Sequence, residues 1–116
     1  MKLDFVGISS YVGTKSSGEV RITHDFTQNI TAQNVLLVED IVDTGSSIDF
    51  LLNLIKSKNP SSLRIVSLLA KPEAHKKPHV LDYVGFEISN DFVVGYGLDL
   101  NSEYRNLPDI MRVKLN

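Results

Sequence analysis

An α/β fold built on a parallel sheet follows from three features of the sequence. Val35, Leu36, Leu37 and Val38 are four consecutive apolar residues, a run that suits a strand buried on both faces. From Ser46 the apolar positions Ile48, Leu51, Leu52 and Ile55 fall at steps of three and four and line one side of a helix. A second apolar run, Leu63 to Leu69, comes next. Strand, helix and strand in this order normally close as a right-handed parallel crossover.

The remaining elements can be justified in chain order. Leu3, Phe5, Val6 and Ile8 read as a first strand. Ser9 to Glu19 is polar, contains Gly13 and Gly18, and reads as a loop leading to Val20–Ile22, the return arm of a hairpin. That loop is a solvent loop or a lid that excludes water from a reacting centre. Residues 24–34 read as an irregular connection. The helix should end near Ser57 to Asn59, because Asn59 can stop it and Pro60 cannot continue it. Lys71 follows the second core strand, where a lysine can meet a ligand carbonyl or extend into water. Glu73 to Pro78 reads as a basic turn, Asp82 to Ile88 as a strand, and Met111 to Leu115 as a last, half-exposed strand. Phe92 to Asp99 combines an aromatic, two valines, two glycines and an acid; it reads as a buried edge or as a ring-stacking and metal-facing segment. Arg105, in a short polar stretch, suits a phosphate or a neighbouring acid.

Composition narrows the function classes. A chain of 116 residues with 42% hydrophobic content is expected to form a single domain with one core. The net charge of −2 and a pI near 5.8 argue against a basic nucleic-acid-binding face. There is no cysteine, which excludes disulfides and thiolate metal sites. His75 and His79 lack partners at zinc-ligand spacing. No stretch reaches membrane-spanning length and nothing at the start resembles a signal peptide, so a cytoplasmic protein is expected and Asn29-Ile30-Thr31 reads as a chance glycosylation pattern.

The stretch Val35 to Ser47, VLLVEDIVDTGSS, carries the chemistry. Ligands of parallel sheets bind beyond the carboxyl ends of the strands. Gly45 lets backbone approach a bulky anion, and the first N–H groups of the helix with the hydroxyls of Thr44, Ser46 and Ser47 suit a phosphate monoester. Glu39 and Asp40 would repel that phosphate, so they are expected to face sugar hydroxyls or a hydrated magnesium ion. The ligand implied is bipartite: phosphate at one end, a diol or a metal at the other. Taken singly, these residues also suit a solvated strand end and a helix cap. A phospho-acceptor signalling domain fits less well, since its acids would not run directly into a Thr-Gly-Ser-Ser helix start.

This stretch resembles the phosphoribosyl-pyrophosphate signature of the type I phosphoribosyltransferases: four apolar residues, two acids, two aliphatics, Asp, Thr or Ser, and Gly. With SSYVGTKSSGEV, LLAKP and DFVVGYGLDLNSEYRNLP in the same order, nearly the whole chain resembles the hypoxanthine-guanine branch of that family. The resemblance implies a Rossmann-like, parallel-sheet phosphoribosyltransferase fold, with residues 1–116 forming one domain that matches the carboxyl-terminal portion of the family's chain. It implies magnesium-dependent transfer of phosphoribose from phosphoribosyl pyrophosphate to hypoxanthine or guanine. Glu39 and Asp40 would hold the ribose hydroxyls directly or through magnesium, and Asp43, Thr44, Gly45, Ser46 and Ser47 would surround the 5-phosphate. Asp43 would also exchange a proton with purine N7. Lys71 would donate to O6, Phe92 would stack on the base, Val93 would offer backbone contacts, Asp99 would bind magnesium, and Arg105 would meet pyrophosphate. Ser10 and Tyr11 would close over the centre. A homo-oligomer is implied, with neither nucleic acid nor membrane as partner.

The family's amino-terminal helix, first core strand and Lys-Gly loop have no counterpart before Leu3. The expectation is therefore a sheet with a gap between Leu3–Ile8 and Val35–Glu39, filled by a second chain or by altered pairing. The alternative is a truncated module that binds nucleotide or phosphoribosyl pyrophosphate without turnover.

Overall fold

The computed structural model describes residues 1–13, 16–75 and 81–114, by backbone alone over 11–13 and 16–18. Its centre is a strand–helix–strand unit. Strand β3 (Asn34–Val42) leads into helix α1 (Ser46–Lys56) and then strand β4 (Ser62–Ala70), which pairs parallel to β3 from Asn34↔Ser62 to Val42↔Ala70. Strand β5 (Tyr83–Glu87) adds on the far side of β4, giving the order β3-β4-β5. Asp82 fixes the entry of β5: its carboxylate accepts the Ile65 N–H at 2.7 Å while its own N–H donates to Ile65 O.

One stripe of α1, Ile48, Leu51 and Ile55, is buried against Leu37, Val42 and Ile65 of the sheet, with Val6, Ile8, Phe26 and Ile30 packed around that cluster. The helix ends at Lys56, where the Ser57 N–H donates to Asn53 O, and Asn59 takes a left-handed conformation before Pro60. The end lies one residue before the Ser57 to Asn59 stop expected from the sequence.

The opposite face of the sheet is open. Leu36 is 54% exposed and Val38 69%, because successive strand residues point to opposite faces and α1 covers only the Leu37 side. The expectation that Val35–Val38 is buried on both faces is thus corrected. Both faces of a parallel sheet are ordinarily covered. Every residue of β5 is exposed as well, so the apolar Tyr83, Val84 and Phe86 mark a strand without marking core. An open concavity of about 470 Å³ lies over the amino ends of β3 and β4, lined by Leu36, Arg64 and Tyr83 among others.

The first two strands differ from expectation. Strand β1 spans Gly7–Gly13 and β2 Ser16–His24, paired antiparallel through Ile8↔Ile22, Ser10↔Val20 and Gly13↔Ser16. Among its described residues the polar stretch read as a loop is therefore mostly ladder, because the pairing is made by backbone groups and does not require apolar alternation. Leu3 to Val6 stays outside the strand. There the Asp4 carboxylate accepts from the N–H groups of Phe5, Thr27 and Gln28 and from the Thr27 hydroxyl, each at 2.9 Å. These side-chain bonds compete with the ladder. The hairpin forms its own sheet, so β1 and β3 do not pair. Strands β6 (Phe92–Val94) and β7 (Met111–Val113) form a third, antiparallel sheet. With these appendages the radius of gyration reaches 15.2 Å, against about 13 Å for a compact domain of this length. His79, most of the basic turn after Glu73, and Leu115 lie outside the described residues.

Candidate active site

The parallel register fixes the site. Because Val42 pairs with Ala70, the next residue of each strand, Asp43 and Lys71, emerges side by side beyond the carboxyl ends of β3 and β4. Lys71 donates its own N–H to Val42 O at 3.0 Å, and its Nζ reaches Asp43 Oδ2 at 3.1 Å. Of the two readings of Lys71, extension into water is ruled out: the residue is 6% exposed.

Gly45 turns the chain into α1. Its φ of 89° is left-handed, a conformation that glycine adopts without steric cost, and its carbonyl accepts the first helical bond, from the Asp49 N–H. The first-turn N–H groups beyond it have no carbonyl within the helix to bond. The Thr44 hydroxyl lies 3.4 Å from the Ser46 hydroxyl and 3.5 Å from the Ser46 N–H, so these groups gather loosely and remain available. Glu39, Asp43, Thr44, Gly45 and Ser47 line a cleft of about 100 Å³. That is below the roughly 300 Å³ at which small-molecule pockets begin, so the cleft has room for a phosphate-sized group and not for a whole nucleotide.

Glu39 and Asp40 are separated by the same alternation that opens the sheet. Strand β3 continues to Val42, two residues past Asp40, so the two acids leave it on opposite faces. Glu39 faces the cleft. Burial, helped by the Asp40 charge, pushes its carboxyl up from 4.5 to about 7. Asp40 is exposed on the other face, with its Oδ1 accepting the Ile41 N–H at 2.7 Å. The sequence treated the acids as one unit at a strand end; the structure brings only Glu39 into the cleft.

The β6 segment approaches from the third strand. The Ile88 N–H donates to Ala70 O at 2.8 Å, which carries the chain past the carboxyl end of β4 toward Phe92. Asp91 is held below the usual carboxylate range, first by the Ser89 hydroxyl and in smaller part by Arg112 and the nearby Lys71 charge. Phe92 is partly exposed and Val93 half-buried at the start of β6. Beyond β6 the chain coils tightly. Gly95 has a φ of 92°, and any Cβ there would run into the Asp109 carbonyl. Asp99 accepts the Ser102 N–H at 2.8 Å and pairs with Arg105 at 3.1 Å, while Arg105 also donates to Gly97 O. The two residues assigned to metal and pyrophosphate thus hold each other. Among the described residues no three metal-ligating side chains converge. Ser10 is exposed in β1; the Tyr11 side chain lies outside the described residues.

Sequence reasoning missed the Asp43–Lys71 pair and the Asp4 anchor. The first had a signal, since an acid and a lysine each end a parallel strand. The second had none beyond a lone acid near the start.

The phosphoribosyl transferase domain family matches residues 1–101. The chain belongs to that family. Among the relatives of this phosphoribosyl transferase domain, hypoxanthine-guanine phosphoribosyltransferase of Bacillus subtilis is 43% identical over 111 residues, which make up 95% of this chain and 62% of that protein. The Mycobacterium tuberculosis enzyme of the same name is 48% identical over 107 residues, 91% of this chain and 53% of that protein. A crystal structure of a hypoxanthine-guanine phosphoribosyltransferase from Bacillus anthracis superposes with a TM-score of 0.88 at 43% identity, covering 96% of this chain and 66% of that one. This chain therefore spans between about half and two thirds of the length of these relatives. The mixed α/β, parallel-sheet phosphoribosyltransferase fold expected from the sequence is the one observed.

Proposed function

We propose that this chain carries the base- and phosphoribose-binding part of a purine-salvage enzyme, transferring 5-phosphoribose from phosphoribosyl pyrophosphate to hypoxanthine or guanine to give IMP or GMP and pyrophosphate. The observation that carries the reading is one edge of one sheet: a left-handed Gly45 opening a helix start, with Asp43 and the buried Lys71 adjoining it. Thr44 to Ser47 grip the 5-phosphate, and Glu39 meets a ribose hydroxyl. Lys71 donates to O6 and Phe92 stacks on the ring, with Val93 offering backbone contacts. As a ring nitrogen bonds to C1 of the ribose, the bond from C1 to pyrophosphate breaks and Asp43 takes the proton from N7. Arg105 meets the departing pyrophosphate, and Ser10 and Tyr11 on the hairpin shield the centre from water.

The carboxylates suit magnesium, an oxygen-seeking ion that commonly uses one or two protein carboxylates and takes its other ligands from water and substrate phosphates. Of the three acids that the sequence offers for it, Glu39 in the cleft and Asp99, once Arg105 turns to pyrophosphate, would each supply one carboxylate, while Asp40 on the opposite face of β3 does not join them. When bound, the ion supplies neutralisation of the leaving pyrophosphate. The reading places the protein in the cytoplasm as a homo-oligomer; among the described residues no helix is long and apolar enough to cross a membrane.

A second reading draws on the open face of β3, where Leu36 and Val38 are exposed. A domain with one bare sheet face can bind nucleotide yet lack the rigidity for turnover. The test is magnesium-dependent formation of IMP from hypoxanthine, by the chain alone and with the segment by which its relatives are longer, alongside nucleotide binding. Turnover in either case supports the enzyme. Binding without turnover in both supports the binding module, and neither would sink both readings.

A further inference from the structure

We infer that Asp43 and Lys71 form an exchange pair, in which a purine carrying a carbonyl oxygen at carbon 6 takes the Lys71 ammonium away from Asp43 and thereby frees that carboxylate. This rests on the proposed 6-oxopurine site and deepens it, since base recognition and release of the proton acceptor become one event.

The argument starts from unequal burial. The Lys71 side chain is 7% exposed and that of Asp43 51%, across a contact of 3.1 Å. Water can replace Lys71 around Asp43. The enclosed ammonium lacks that access to water, and an unpaired buried cation is costly. Its surroundings supply few substitutes: the Val42 carbonyl is taken by the Lys71 N–H at 3.0 Å and approached by the His75 ring at 3.4 Å. Asp91 feels the Lys71 charge, but its carboxylate is bonded to the Ser89 hydroxyl at 2.6 Å and paired with Arg112 at 3.4 Å. The pair therefore separates when an incoming group can accept a hydrogen bond from the ammonium. A carbonyl oxygen does so; a C–H or an amino group in that place does not. While the pair is closed, one oxygen of the proposed proton acceptor is masked.

The test compares binding of IMP and of purine riboside 5′-monophosphate, which has hydrogen where IMP has the oxo group, by calorimetry on the full chain and on Asp43→Asn. Both ligands keep N7 and the phosphate, so changes at those atoms cancel in the ratio of affinities. An asparagine oxygen holds the ammonium more weakly than a carboxylate does, since charge-assisted bonds are roughly twice as strong as neutral ones. Exchange therefore predicts that the preference for IMP rises about tenfold in the variant, 1.4 kcal/mol. Asp43→Ser, which removes the partner altogether, should raise it at least as much, and thermal melts of both variants establish that they fold. A wild-type preference for IMP that is unchanged or smaller in both variants overturns the exchange and leaves the 6-oxopurine site standing. A wild-type chain that does not prefer IMP overturns both.

Discussion

Asp43–Lys71 and Asp99–Arg105 are both ion pairs at 3.1 Å, yet burial is distributed in opposite ways. In the first the cation is enclosed, at 7% exposure, beside a half-exposed acid; in the second the arginine is 58% exposed and its acid 32%. The cause is the backbone beneath them. Lys71 leaves the end of a central strand and is pinned through its own N–H to Val42, whereas Arg105 lies in a coil of left-handed residues at the rim. An enclosed cation gives up its partner only to a ligand that replaces it, while an exposed one exchanges with water. The first pair is suited to discriminating a ligand atom and the second to releasing a charged group.

The largest expected effect breaks the first pair. Asp43→Asn removes the proposed proton acceptor and should lower kcat for IMP formation by roughly a hundred- to ten-thousand-fold. Steady-state assays of the chain with its complementing segment provide the check, and a loss under tenfold would remove Asp43 from that role. Next comes the turn that presents the pair. Gly45→Val forces a branched residue to a φ of 89° and should cost about 1–3 kcal/mol of stability while weakening ribose 5-phosphate binding. Thermal melts and calorimetry would show both; a variant as stable as the parent would mean the turn is not strained.

Much of the first pair's setting was legible in the sequence, because a buried crossover writes itself as apolar periodicity. Ile48, Leu51 and Ile55 gave the helix its inward stripe, and Leu63 to Leu69 gave β4. Less of the second was legible. The coil after Val94 depends on Tyr96, Asn101, Ser102 and Tyr104 at positive φ, and only one of these, Asn101, is a residue type that favours it. The pairing of Asp99 with Arg105 is a tertiary outcome of that coil. The hairpin misled for another reason: residues 9–13 and 16–19 pair as a backbone ladder, and their serine- and glycine-rich sequence carries no apolar period. Glu39 and Asp40 show the limit of reading neighbours together, since adjacency in a strand means opposite faces.

Glu39 sharpens the first region by its pH dependence. Its folded-state carboxyl titrates near 7 against 4.5 for the ordinary group, chiefly through burial. Between these values the folded chain keeps a proton that the unfolded chain releases. The stabilisation it gives is therefore complete below about 4.5 and is lost as pH rises through about 7. Glu39→Gln should abolish that loss, so the variant gains on the order of 1 kcal/mol over the parent at pH 8, a figure kept low because the side chain still meets solvent. Urea unfolding at pH 5 and pH 8 measures the difference, and a parent with equal stability at both would show that Glu39 is not enclosed.

The smallest effect belongs to the rim pair, and its smallness tests the comparison. Arg105→Gln removes a guanidinium that is mostly in water, so stability should fall by only about 0–1 kcal/mol. The wild-type pair should also weaken with added salt, because ions screen exposed charges over about 10 Å at 0.1 M. Lys71→Met is the matched change at the enclosed pair. It removes a buried cation and leaves Asp43 in water, so its stability should depend little on salt. If instead Arg105→Gln destabilised the chain by several kcal/mol, or Lys71→Met proved the more salt-sensitive of the two, the contrast between an enclosed discriminating pair and an exposed releasing one would fail.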